Sequence, residues 1–226
     1  MRFPSPLSFH DLRFEAVLFD MDGTLLDSIP AVERSWLRWC EEYDVDPRRM
    51  VGLHGVPAVG VIAELLPPER RAEAHARIRA LEVGDLGGIT ILPGAAELLA
   101  SLEAAGGAFA IVTSCTDDLA AARVEATGLR VPAVVVTASQ VAMGKPGPDP
   151  YLEGARRLGV DPARCLVVED AAAGIVSARA AGCAAVLAVT STTPRAELED
   201  LADVVVTGLD RVAVSVDADG IRVIVS

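Results

Sequence analysis

Six short apolar runs, at residues 16–20, 109–114, 133–137, 165–169, 184–189 and 204–206, alternate with stretches of helical pattern. No other feature limits the fold as strongly. The runs are continuous rather than alternating, as in strands buried on both faces of a sheet. Segments 94–105, 117–127, 149–158, 171–181 and 194–201 carry the helical pattern between them. Such alternation predicts an α/β fold, a doubly wound, Rossmann-like parallel sheet. In that architecture ligands bind beyond the C-terminal ends of the strands.

One connection breaks the rhythm. From residue 28 to about 92 no strand is expected, and 29–43, 58–66 and 68–83 read as helices. An excursion of that length between two strands is a small domain rather than a loop. The expected division is therefore a Rossmann-like core of residues 1–27 and 93–226, with a helical cap of residues 28–92 inserted after the first strand. At the C-terminus, 212–216 and 221–225 flank Asp219-Gly220 and read as a β-hairpin decorating an edge.

A chain of 226 residues, 51% of them hydrophobic, can build a full core. Its net charge of −12 argues against nucleic-acid partners and against anionic membrane surfaces. A phosphorylated substrate remains compatible, because a bound cation and a lysine can invert the field within a cleft. Cys40, Cys115, Cys165 and Cys183 form no C-x-x-C pair and are expected as buried free thiols. With no leader-like or membrane-length apolar run, a cytoplasmic location and a monomer or weak homodimer are expected.

The chemistry gathers at the strand ends. The first run delivers two carboxylates, Asp20 and Asp22, followed at once by Gly23 and Thr24. A carboxylate beside a core is costly to desolvate, so a pair needs a cation or a chemical task. Mg²⁺ is the cation that prefers oxygen ligands, and nucleophilic attack plus proton transfer is the task two carboxylates share. Thr113-Ser114 follows the apolar stretch 109–112, Glu169-Asp170 follows 165–168, and Gly144-Lys145-Pro146 lies between strands. Together the two acidic pairs offer a Mg²⁺ site. Lys145 offsets the remaining charge, and a hydroxyl with backbone amides can hold phosphoryl oxygens.

Phe19-Asp20-Met21-Asp22-Gly23-Thr24-Leu25, Thr113-Ser114, Gly144-Lys145-Pro146 and Glu169-Asp170-Ala171 with Gly174 resemble the four motifs of the haloacid dehalogenase-like hydrolase superfamily. The likeness runs from about residue 16 to 189 and includes a helical cap. Asp27-Ser28, Ala31-Val32-Glu33-Arg34-Ser35-Trp36, Leu53-His54-Gly55 and Leu92-Pro93-Gly94 are similar to sugar-phosphate and glycerol-phosphate phosphatases, with the β-phosphoglucomutase branch close by. The resemblance implies that Asp20 attacks phosphorus and that Asp22 first protonates the leaving alcohol, then activates water. It implies Mg²⁺ on the Asp20 and Asp170 carboxylates and the Asp22 carbonyl, with Glu169 direct or through water. It also implies that Ser114 and the Cys115 amide hold phosphoryl oxygens and that Lys145 stabilises Asp20 and the transferring group. Gly23, Thr24, Thr113, Cys115 and His54 complete the candidate substrate contacts. Asp22 separates the chain from the similar dehalogenases, which lack a second aspartate.

Two departures stand out. The motif resembling Thr-Ser-Gly-Thr reads Thr113-Ser114-Cys115-Thr116, which puts a thiol near the phosphate pocket. The stretch after His54-Gly55 lacks the arginine that similar phosphatases carry. The reading is a Mg²⁺-dependent phosphatase acting on a sugar or polyol phosphate through an aspartyl-phosphate. The alternative is a phosphomutase of the β-phosphoglucomutase type. A signalling receiver is disfavoured by motif order, because its phosphorylated aspartate follows a middle strand.

Overall fold

The strand β1 (Ala16–Phe19) is buried at every position, and its four residues divide between two cores. Val17 and Phe19 enter one apolar cluster, while Ala16 and Leu18 enter another on the opposite face. This period-two division is what a strand covered on both sides requires. The structure, a computed structural model, describes residues 9–50 and 58–226.

The chain continues through β2 (Leu26–Asp27), α1 (Ile29–Tyr43), α2 (Ala58–Leu65), α3 (Pro68–Gly84), β3 (Thr90–Ile91), α4 (Ala95–Ala104), β4 (Ala108–Val112) and α5 (Asp117–Thr127). Next come β5 (Val135–Val136), α6 (Asp149–Leu158), β6 (Cys165–Glu169), α7 (Ala172–Ala180), β7 (Ala185–Val189), α8 (Arg195–Leu198) and β8 (Val204–Val206). The hairpin β9 (Val212–Asp217) and β10 (Gly220–Val225) ends it. The main sheet runs β5-β4-β1-β6-β7-β8, and all its pairings are parallel. β1 sits inside it, flanked by β4 and β6 in register Phe19↔Ile111 and Phe19↔Val168. The chain first winds away from β1 through β4 and β5, then returns to its other side with β6. The direction of winding therefore reverses at β1, which opens a crevice at its C-terminal end.

Helices α4 and α5 cover one face of the sheet through Leu98, Leu99, Leu102, Leu119 and Ala120. Helices α6 and α7 cover the other through Tyr151, Ala155, Ile175 and Ala178. A third apolar cluster belongs to α1, α2 and α3 and holds Trp39, Tyr43, Ile62, Leu65, Ala74 and Ile78. Trp39 stacks on Tyr43 with ring centroids 4.7 Å apart and donates Nε1–H to the Ala74 carbonyl at 2.9 Å. These helices thus hold each other through contacts that owe nothing to the sheet.

Four expectations require correction. Residues 28–92 do contain a strand, because Thr90–Ile91 pairs antiparallel with Leu26–Asp27. A two-residue ladder carries no periodicity to read. The run 133–137 yields only Val135–Val136, and the helix expected over 194–201 closes after one turn as Arg195–Leu198. The hairpin forms, but its loop is Ala218-Asp219, with Gly220 paired to Asp217 at φ +122°. It does not extend the main sheet. Ile221 and Val223 enter the core beside Leu98 and Leu102, and Ile221 exchanges backbone hydrogen bonds with Phe14. The four cysteines are buried and free, as expected.

Candidate active site

Each chemically active side chain is delivered by a strand end or by the loop just after it. Asp20 follows β1, its amide donating to the Val168 carbonyl of β6 at 2.9 Å. Lys145 comes from the loop before α6 and reaches across the ends of β4, β1 and β6. Its Nζ donates to Asp20 Oδ1 at 2.6 Å, to the Val112 carbonyl at 2.9 Å and to Glu169 Oε1 at 2.7 Å. It also lies 4.9 Å from the Tyr151 ring centroid, a cation–π distance. A lysine head only 5% exposed is tolerated because two carboxylates and a carbonyl replace its water. Those carboxylates hold its pKa above the usual lysine range despite burial, so it stays charged.

Glu169 has both oxygens in use. Oε1 accepts from Lys145 and from the Tyr151 hydroxyl at 2.9 Å, and Oε2 accepts from the Asp170 and Ala171 amides at 2.9 and 3.0 Å. Its side chain folds over the start of α7. A Cβ at Gly174 would lie 1.6 Å from Glu169 Oε1, so only glycine lets the helix approach. Asp170 points to the Asp20 side. Thr24 donates to its Oδ1 at 3.1 Å, and Thr192 donates to its Oδ2. Ser191 donates to the Gly23 carbonyl and ties down the same turn. Gly23 adopts φ +84°, and a Cβ there would meet Asp170 Oδ2 at 2.2 Å.

Asp20, Glu169 and Asp170 each offer an oxygen within 4.8 Å of the others, all buried. Three carboxylates face one lysine, so negative charge is in excess. The consequence is visible in their affinities for protons. Burial pushes Asp20 well above the usual carboxylate range, against the opposing pull of Lys145. Burial, reinforced by Glu169, raises Asp170 to about 7. A cluster of hard oxygen donors held this close and short of positive charge fits a divalent cation such as Mg²⁺.

Asp22 points elsewhere. Arg123 of α5 places Nη1 2.7 Å from Asp22 Oδ1, and the Cys115 thiol donates to Asp22 Oδ2 at 2.9 Å. Arg123 Nη1 also donates to Cys115 Sγ at 3.0 Å, and Nη2 lies 3.9 Å from Glu82 of α3. Burial, with Asp22 adding to it, pushes the Cys115 thiol well up, so it remains a neutral S–H donor. Thr113 is buried and accepts the Cys115 amide at 3.1 Å, while Ser114 is exposed beside it. His54 lies outside the described residues.

Sequence reading brought Asp20, Glu169, Asp170, Lys145 and Thr24 to one place, and the structure puts them there. It missed Arg123, Tyr151, Thr192 and Glu82. Arg123 had a signal: it lies four residues after Leu119 on the core-facing stripe of α5, where a cation needs a reason. Thr192 follows β7 as the other candidates follow their strands.

Residues 14–182 match the family profile described as haloacid dehalogenase-like hydrolase. Hexitol phosphatase A of Escherichia coli is 41% identical over 213 residues, 92% of this chain and 98% of that protein. Glycerol-1-phosphate phosphohydrolase 2 of Saccharomyces cerevisiae is 36% identical, over 79% of this chain and 74% of that one. Among solved structures, CbbY from Rhodobacter sphaeroides in complex with phosphate superposes with a TM-score of 0.76 at 26% identity, covering 87% of this chain and 95% of its own. With sheet order, acidic cluster and relatives in agreement, the chain belongs to the haloacid dehalogenase-like hydrolase family, among its phosphatases.

Proposed function

We propose that this phosphatase hydrolyses a sugar or polyol phosphate in the presence of Mg²⁺, through a phosphoryl group carried briefly on Asp20. The observation that carries the reading is the single buried lysine shared by Asp20 and Glu169 within a buried carboxylate cluster. The names of the similar proteins, a hexitol phosphatase and a glycerol-1-phosphate phosphohydrolase, support the substrate class.

The chain's own groups account for the steps. Lys145 holds Asp20 Oδ1, leaving the other carboxylate oxygen to attack phosphorus. The bond from Asp20 to phosphorus forms as the bond to the leaving oxygen breaks, and Asp22 gives that oxygen a proton. Asp22 then takes a proton from water as water attacks phosphorus. Phosphate leaves, and the Asp20 carboxylate is restored. Ser114, exposed after β4, meets phosphoryl oxygens in this reading. Asp20 and Asp170, with the Asp22 carbonyl, would hold Mg²⁺, which neutralises phosphoryl charge when bound. Glu169, with both oxygens occupied by Lys145, Tyr151 and two amides, acts one step behind by fixing that lysine.

Residues 28–92 serve in this reading as a cap over a core of residues 1–27 and 93–226. Their separate apolar cluster supports this, as do two contacts with α5: Arg79 with Asp118 at 2.9 Å, and Glu82 with Arg123. A panel of hexitol, glycerol and hexose phosphates assayed with Mg²⁺ for both free phosphate and isomerised product tests the function. Release of phosphate from sugar or polyol phosphates is expected. Isomer formation without phosphate release would replace this reading with a phosphomutase.

A further inference from the structure

Arg123 is the buried cation that the proposed chemistry leaves without a role. It is 3% exposed, on a helix whose other buried residues are Leu119 and Ala120. Burying a guanidinium is costly unless charge and hydrogen bonds replace water, so its neighbours explain why it is there. They are Asp22, Cys115 and Glu82, from three separate elements. Asp22 is thereby gripped at both oxygens, by the guanidinium on Oδ1 and by the thiol on Oδ2. The guanidinium's half of this grip is one of charge rather than full hydrogen bonding. Asp22 Oδ1 accepts no aligned hydrogen bond, and Arg123 Nε is buried without a partner. The guanidinium therefore has an unused donor with which to follow Asp22 as it turns to the leaving group and back.

We propose that Arg123 is a positioning residue for proton transfer, holding Asp22 by its carboxylate so that it serves the departure of strongly basic alcohols. Cys115, where similar motifs have glycine, completes the grip. Glu82 ties the same guanidinium to α3. This inference rests on Asp22 being the acid and base. A structural ion pair would stabilise the protein without regard to the leaving group. A positioning residue for the acid must affect alkyl phosphates, whose alkoxide needs a proton, far more than aryl phosphates, whose nitrophenolate does not.

The test compares kcat/KM, which reports events through leaving-group departure, for the best alkyl phosphate of the panel and for 4-nitrophenyl phosphate. Wild type, Arg123→Met, Arg123→Lys and Asp22→Asn are measured with Mg²⁺. Because the readout is a ratio within one preparation, partial misfolding cancels. The expected result for Arg123→Met is a loss of about 30- to 100-fold on the alkyl phosphate with less than about threefold on the aryl phosphate, within the range of general acid catalysis. Asp22→Asn is expected to show the same asymmetry, and Arg123→Lys to regain part of it. An equal loss on both substrates in Arg123→Met, or none, while Asp22→Asn stays asymmetric, overturns the role of Arg123 alone. If Asp22→Asn itself loses both activities equally, the acid–base reading falls and this inference with it.

Discussion

Asp20 and Asp22 are two residues apart in the chain and sit in opposite electrostatic surroundings. Asp20 is buried among Glu169 and Asp170 with one lysine between them, so its neighbourhood carries surplus negative charge. Asp22 is partly exposed and faces an arginine of its own, with a thiol on its other oxygen. One Asp-x-Asp turn thus holds two carboxylates in unlike surroundings, as the two proposed roles require. The first carboxylate is left short of positive charge, a deficit that a divalent cation could make up. The second is compensated by the chain itself, through Arg123 and the Cys115 thiol.

Substitution of the two aspartates is the strongest way to break this contrast. Asp20→Asn is expected to remove activity on alkyl and aryl phosphates alike, by about 10⁵-fold, as for a lost nucleophile. Its melting temperature should not fall, because a buried charge among like charges is removed. Residual turnover of nitrophenyl phosphate near the wild-type rate would sink the covalent role.

Removing the two cations sharpens it. Lys145→Met leaves Asp20 and Glu169 buried without their shared partner and should cost about 4 kcal/mol of unfolding free energy. Arg123→Met should cost less, about 2 kcal/mol, since water still reaches Asp22 and Glu82 can take up a proton. Denaturant melts compare the two, and an equal or reversed order would contradict the asymmetry. Mg²⁺ should discriminate as well. At a hundred times its dissociation constant it should add about 2.7 kcal/mol, or roughly 5–10 °C in Tm. Asp170→Asn should abolish the shift and Asp22→Asn should keep it.

The smallest expected effect concerns Glu82. Burial raises its pKa from 4.5 to about 7 although Arg123 pulls it down. The folded protein therefore holds this proton where the unfolded chain has released it. The associated stability is present below about pH 4.5 and is lost as pH rises through about 7. Glu82→Gln should remove that loss, so its stability relative to wild type should increase from pH 5 to pH 8 by at least about 1 kcal/mol. Parallel melting curves across that range would show that Glu82 is not held protonated.

The sheet and most of the carboxylate cluster were legible because both follow from strand ends. Continuous apolar runs mark buried parallel strands, and parallel strands carry their ends to one edge, so residues distant in sequence converge. Asp20, Glu169, Asp170 and Lys145 meet for that reason. What escaped reading depends on packing rather than on period. The ladder of Leu26–Asp27 with Thr90–Ile91 is too short to have a pattern. The hairpin alternates as expected, yet only tertiary contact with Phe14 and α4 decides that it lies over the core. Arg123 belongs to this second group. Its helix suggests an alanine-rich cover for the sheet, and only the fold shows that the guanidinium reaches Asp22 and α3.

Trapping the covalent intermediate identifies the nucleophile directly. The protein is mixed with substrate and Mg²⁺, quenched in acid, reduced with borohydride and digested. An acyl phosphate reduced in this way converts its aspartate to homoserine. Homoserine is expected at position 20, with aspartate unmodified at position 22. Homoserine at position 22, or none at either position during rapid turnover, would contradict the covalent role of Asp20.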